Sequence, residues 1–178
     1  IEGHFVLSSG LHSAKYIQCA KLLSYPHLSN NICKSLAYKI RKNYKEIDLI
    51  LAPAMGGIII GYEIGKILKK ETIFCERVNG KFKLRRGFTI NKGSKVLIIE
   101  DVITTGKSSM ECVKLINKNK AKLVGFASLI DRSTKKSLKI KKKIISHLKI
   151  SVPTYKKSEL PDHLKKIPIT TPGSRFIK

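Results

Sequence analysis

Two adjacent acids and the hydroxyl-rich loop behind them are the residues of this chain best suited to chemistry. Val96-Leu97-Ile98-Ile99 leads into Glu100-Asp101, and Val102-Ile103-Thr104-Thr105-Gly106-Lys107-Ser108 follows directly. The apolar run reads as a buried strand, and the Thr-Thr-Gly-Lys-Ser string as a turn that opens a helix. Backbone N–H groups converge at such a turn, near the positive end of the helix dipole, and favour a phosphate there. Gly106 permits a close approach of backbone to ligand. Carboxylates accept hydrogen bonds from sugar hydroxyls, so Glu100 and Asp101 beside this cradle suit a ribose carrying a 5′-phosphate. A Walker-type loop is excluded, because Asp101 occupies the place where that loop needs its first glycine.

The elements that must hold these residues follow from the hydrophobic pattern. Polar and apolar residues alternate over 4–9 and again over 15–19, which predicts an N-terminal hairpin. Ile32, Leu36, Ile40 and Tyr44 share one face of a helix that begins near Leu28, just after Pro26. Asp48 to Ala52 predicts a strand stopped by Pro53, Ile58 to Lys69 a helix, and Thr72 to Glu76 a strand. A second strand–turn–helix unit runs from Lys95 to Ile99, through a turn over Glu100 to Ser108, and on to Lys118. Leu123 to Ile130 and Ile144 to Val152 complete the strands. Strands alternating with helices mean βαβ units, hence an α/β fold with a mostly parallel sheet flanked by helices and the hairpin set apart as a hood. Ligands of such sheets bind beyond the carboxyl ends of the strands. Besides the acid-bearing turn, Ala52-Pro53-Ala54-Met55-Gly56-Gly57 and Asp131-Arg132-Ser133 stand at such ends.

Composition bounds the function. The 178 residues include 36 Lys plus Arg against 12 Asp plus Glu, a formal charge of +24. That surplus suits a polyanionic small molecule, a nucleic acid or an anionic surface, or reflects a lysine-biased, solvated exterior. Its densest stretch is Lys135 to Lys143. No apolar run approaches the ~20 residues a bilayer requires, and no export signal opens the chain. Cys19, Cys33, Cys75 and Cys112 lie far apart, which argues against a zinc knuckle or disulfide scaffold and for reduced thiols in a cytoplasmic protein.

Taken together, these motifs resemble the type I phosphoribosyltransferases, and among them the orotate phosphoribosyltransferases. Ile98 to Ser108 is similar to the family's site for 5-phosphoribosyl diphosphate (PRPP), and Pro53-Ala54-Met55-Gly56-Gly57 to its diphosphate loop, with Ala54, Met55 and Gly56 as the binding residues. Gly3-His4-Phe5, Ser8 to Ser13 and Tyr16 look like the hood over the base, and Pro172-Gly173-Ser174-Arg175 like the ending of one bacterial branch. The resemblance implies one domain over 1–178, its hood at about 1–25 plus the C-terminal segment and its core at about 26–150. It implies transfer of the phosphoribosyl group from PRPP to orotate, with magnesium bridging substrate oxygens rather than held by protein ligands. Glu100 and Asp101 would hold the ribose hydroxyls, and Val102 to Ser108 would line the PRPP site, with the 5′-phosphate on Thr104 to Ser108. Arg132, Thr104 and Tyr16 would bind orotate. Arg77 to Arg86 is similar to a basic loop that closes over the neighbouring subunit of a homodimer. Arg77 and Lys81 are its candidates for contact with the departing diphosphate, beside Lys83 and Arg85. Ser8 stands where many members carry lysine, and the loop lacks the histidine of the best-known branch. His12 is a further hood residue that could touch substrate. A transferase for a purine or another base, and a non-catalytic nucleic-acid-binding relative, are the competing readings. Membrane association is not expected.

Overall fold

A computed structural model of the chain describes residues 1–7, 10–134 and 138–171. These form two compact units, one built from residues 1–18 and the chain after 150, the other from Cys19 to Ile150. Ser8, residues 135–137 of the lysine-rich stretch, and Pro172 to Arg175 lie outside the described residues.

The larger unit is an α/β sandwich. Its strands are β3 (Leu49–Pro53), β4 (Glu71–Val78), β5 (Lys81–Leu84), β6 (Lys95–Ile103), β7 (Lys122–Asp131) and β8 (Ile144–Lys149). They lie in the order β5-β4-β3-β6-β7-β8, and every pairing is parallel except that of β4 with β5. The helices are α1 (Cys19–Leu23), α2 (Pro26–Asn43), α3 (Gly57–Leu68) and α4 (Lys107–Lys118). Alternation along the strands assigns the two faces. Leu49, Leu51, Ile73, Cys75, Val96 and Ile98 pack with Cys112 and Ile116 of α4. On the opposite face α3 lies so close to β3 that a Cβ on Gly61 would come within 2.8 Å of Ala52 Cβ. Chain order reverses between β3 and β6, where open parallel sheets place their ligands.

The sheet's two edges carry lysines. On β5, Lys81 and Lys83 are exposed while Phe82 between them is buried. At β8, Lys39 of α2 donates to the carbonyls of Ser146 and His147 at 3.1 and 2.8 Å.

The smaller unit pairs β1 (Glu2–Val6) with β2 (His12–Lys15) as an antiparallel hairpin, and β9 (Ile169–Thr170) adds to β1 in parallel. A 3₁₀ turn (Lys157–Glu159) and a short helix α5 (Asp162–Lys165) complete it. The expected hairpin exists, but its second strand is His12–Lys15 rather than 15–19. The turn is closed by Leu7 N–H donating to the Leu11 carbonyl, and His12 exchanges backbone bonds with Tyr155, which fixes the register earlier. Cys19 instead begins α1.

Two further differences bear on function. The chain from Gly80 shows no strand period in its sequence, yet 81–84 pairs with β4 through a tight Asn79-Gly80 turn. The basic segment is therefore a hairpin. Strand β6 also runs four residues past Ile99, because its ladder to β7 continues through Val102–Ile130 and Ile103–Asp131. Glu100 and Asp101 are thus strand residues, and the turn begins only at Thr104.

Candidate functional site

Because adjacent strand residues face opposite ways, the two acids project into different layers. Glu100 faces α4, is 8% exposed, and its Oε1 accepts a hydrogen bond from the buried Ser109 hydroxyl. Asp101 faces the α3 side. A Cβ built on Gly56 would lie 2.7 Å from its Cγ and 2.8 Å from its Oδ1. Burial pushes the Asp101 carboxyl above its usual range, with backbone N–H donation from Val102 and from Asp101 itself partly offsetting the rise. Burial and the nearby Asp101 raise the Cys19 thiol to about 12. That thiol is unreactive at neutral pH.

Gly56 belongs to the turn after β3, and any side chain placed there would have to displace the Asp101 carboxylate. Ala54 N–H donates to the Cys75 carbonyl on β4, the Ala54–Met55 peptide is cis, and Ile58 N–H returns to the Met55 carbonyl. Gly56 caps α3 without a side-chain bond, so that helix's first N–H groups have no capping oxygen from this residue. The sequence places this turn and Asp101 at neighbouring strand ends; their direct contact, across 45 residues of chain, is set by the fold.

On the other side of β6, the turn Thr104-Thr105-Gly106 opens α4. Gly106 sits at φ +70°, and a Cβ there would meet Ile140 Cγ1 at 2.7 Å, so both conformation and space require glycine. Thr105 Oγ1 accepts from Lys107 N–H at 3.3 Å, and the Thr105 carbonyl accepts from Lys139 N–H at 2.9 Å. Lys107 is exposed, while Thr104, Thr105 and Ser108 are half-buried. The hydroxyls, the left-handed glycine and the first turn of α4 make a cradle suited to one phosphate. Val102 and Ile103 are its strand-side support, with Ile103 buried.

Arg132 lies at the end of β7 and is 6% exposed; its N–H donates to the Ile103 carbonyl at 2.8 Å. The last ladder pair, Ile103 with Asp131, thus sets this arginine directly beside the phosphate turn. Asp131 is turned to its own loop, accepting from Ser133 N–H, with the Lys149 ammonium 3.6 Å away.

Arg77 and Lys81 share the β4–β5 hairpin but not its environment. The Arg77 guanidinium stacks on Phe82 at 4.0 Å, donates to the Gly80 carbonyl at 2.7 Å and pairs with Glu111 of α4 at 2.7 Å. Lys81 is exposed. With Lys83, Lys114 and Lys118 it lines a groove of about 810 Å³ between the hairpin and α4. Arg85 is exposed, and Arg86 pairs with Glu76 at 3.0 Å.

In the smaller unit, Tyr16 packs against Phe5 with ring centroids 5.7 Å apart. His12 is 5% exposed and its Nδ1 lies 2.7 Å from His4 Nε2, so this ring is committed within the sheet.

No three His, Cys, Asp or Glu side chains gather into a metal cluster among the described residues. Asp101, beside the glycine turn after β3, is the carboxylate that a cation carried in on substrate oxygens would meet.

A family model described as "Phosphoribosyl transferase domain" matches residues 27–159. The chain is 47% identical to an orotate phosphoribosyltransferase of Parvibaculum lavamentivorans over 99% of its own length and 91% of the relative's. It is 44% identical to one of Caldicellulosiruptor saccharolyticus, over 100% and 92% of the two chains. Among solved structures, orotate phosphoribosyltransferase from Aeropyrum pernix superposes with a TM-score of 0.66 at 20% identity, covering 84% of this chain and 87% of that one. An adenine phosphoribosyltransferase gives 0.65 at 16%, covering 78% and 89%; at these identities the likeness concerns the fold alone.

Proposed function

The chain belongs to the phosphoribosyltransferase family, and within it to the orotate phosphoribosyltransferases; from that premise we propose that PRPP binds at the carboxyl ends of β3 and β6. The protein is a glycosyltransferase. It transfers the 5-phosphoribosyl group of PRPP to orotate, giving orotidine 5′-phosphate and diphosphate in pyrimidine nucleotide synthesis.

The observation that carries the site proposal is the contact of Gly56 with Asp101. It joins the loop suited to the diphosphate and the acid suited to the ribose, the two groups between which the bond at C1 breaks. In the proposed complex Glu100 and Asp101 accept hydrogen bonds from the ribose hydroxyls, one from each layer. The 5′-phosphate rests on Thr104 to Ser108 at the N-terminus of α4. Met55 and Gly56 present backbone N–H groups to the diphosphate, while Ala54, whose own N–H is held by the Cys75 carbonyl, anchors the turn to β4. Arg132 offers its planar fork to the orotate carboxylate, and Thr104 contacts the same base. Tyr16 enters the proposal through the family resemblance.

Displacement of diphosphate by the orotate ring nitrogen builds positive charge on the ribose, so catalysis rests on positioning and electrostatics. Asp101 stands where that charge develops. Lys81, exposed like Lys83 and Arg85, can meet the diphosphate directly, whereas Arg77 must first leave Glu111. Magnesium, carried by PRPP oxygens beside Asp101, would neutralise the diphosphate when bound.

We further place the chain in the cytoplasm as a homodimer of single-domain subunits whose hairpin serves the neighbouring site. Buried free cysteines support the first point, and no helix of the described residues is long and apolar enough to cross a membrane. Ile59 and Tyr62 of α3, exposed at 46 and 63%, and Met55 in the turn before it, at 69%, support the second.

The test is ultraviolet loss of substrate with PRPP and magnesium, run in parallel for orotate, adenine and uracil. Orotate alone should be consumed. Preferential use of adenine would overturn the assignment of Arg132 to a carboxylate.

A further inference from the structure

Glu100, like Asp101, is a carboxylate held out of water, but on the face of the sheet that α4 covers. A carboxylate at 8% exposure is costly unless donors surround it. Its face of the sheet is otherwise apolar, with Ile98, Ile103, Cys112 and Ile116 all buried in one cluster. Ser109 supplies a donor there. It is fully buried in the first turn of α4, one residue beyond the phosphate-turn motif, and its hydroxyl donates to Glu100 Oε1. A helical serine commonly turns its hydroxyl back onto its own helix; this one spans to the sheet instead.

The consequence lies in what the bond connects. Strand β6 carries the acid assigned to the ribose hydroxyls, and α4 begins at the cradle assigned to the 5′-phosphate. Ser109 ties one to the other, so the two grips on a ribose 5-phosphate keep a fixed separation. Asp101 cannot share this task, because it projects into the opposite layer above Gly56.

We propose that Ser109 is a positioning residue, whose hydroxyl orients the Glu100 carboxylate toward the ribose and thereby sets the affinity for PRPP rather than for orotate. The proposal rests on the reading of Glu100 as a ribose-binding acid.

The test is a double-mutant cycle on the full chain with Ser109→Ala and Glu100→Gln, read by calorimetric titration of PRPP with magnesium and by the KM of each substrate. Ser109→Ala should weaken PRPP binding about tenfold while the orotate KM moves less than about twofold. In the Glu100→Gln background the same change should add less than about twofold, since the hydroxyl acts through that carboxylate. Ser109→Cys keeps nearly the same volume with a weaker donor, and carries the same comparison if the alanine variant does not fold. Equal increases in both KM values, full additivity in the cycle, or unchanged PRPP affinity would overturn the role of Ser109. If Glu100→Gln itself leaves PRPP affinity unchanged, the ribose reading of Glu100 fails and this inference with it. If Glu100→Gln weakens PRPP binding and Ser109→Ala does not, the inference alone fails.

Discussion

Replacing Gly56 with alanine should cost this enzyme far more activity than stability. The backbone at Gly56 is right-handed, φ −59° and ψ −33°, so alanine meets no conformational barrier. The obstacle is Asp101: the new methyl would stand 2.7 Å from Cγ and 2.8 Å from Oδ1. Ordinary contact requires about 3.5–4.0 Å, so the carboxylate must retreat by roughly 1 Å. A displacement of that size at a reacting centre costs on the order of 10²-fold in rate, about 2.7 kcal/mol of transition-state stabilisation. Stability should fall by about 1–3 kcal/mol, the ordinary cost of overpacking, since Gly56 is an N-cap where alanine has no helical advantage. Gly93→Ala is the control. It sits at φ +83° with nothing within 4 Å of the added carbon, so it should lose about 1 kcal/mol of stability and no activity. Initial rates of orotate loss and thermal unfolding of both variants decide the matter. A Gly56→Ala enzyme within threefold of wild type in kcat/KM for PRPP would refute the role given to Asp101.

Three other outcomes are expected. Arg132→Ala should raise the KM for orotate by about 10- to 100-fold, as loss of a charge-assisted pair implies, and that for PRPP far less; equal effects would count against the carboxylate contact. Asp101→Asn should abolish activity yet raise the Tm at pH 7. The folded carboxyl is raised above 3.8, so native stability is greatest below that pH and falls as the pH climbs through the folded value. The gain should therefore vanish in Tm measurements at acid pH, and an unchanged Tm at pH 7 would contradict it. His12 is lowered from 6.5, first by burial and then by His4 and Lys157. Its contribution is complete above 6.5 and lost as pH falls, so the smaller unit should loosen toward pH 5, followed by the NMR signals of 2–15, and His12→Asn should flatten that dependence.

The α/β class and the order of its helices and strands were legible because each element carries its own period. Pro26, Pro53 and the Gly56-Gly57 pair punctuate them where the coordinates do. The acids, the phosphate turn and Arg132 were legible as a set, since a parallel sheet gathers its strand ends at one rim. What escaped reading was register. Four more residues of β6 are held by pairing with β7, a long-range bond that no local pattern reports, and they decide that Glu100 and Asp101 diverge. The hairpin at 81–84 escaped for the same reason, as its lysines mask a strand that β4 enforces. Ser109 looked like any helical serine until Glu100 was found above it. Arg77 read as a free cation, but the carboxylate that engages it lies 34 residues further on in the chain.

The lysines at the two rims of the sheet bear on how this chain behaves in a crowded solution. An isoleucine-rich parallel sheet ends in strands whose open amides and carbonyls invite a stranger to extend it. Here one rim presents Lys81 and Lys83, and the other has carbonyls already occupied by the ammonium of Lys39. An intruding strand would have to strip water from those charges and displace that ammonium before gaining its first bond. Part of the +24 excess is accordingly a barrier to self-association, and replacing Lys39, which lies outside the proposed substrate sites, with threonine should lower solubility and leave activity unchanged.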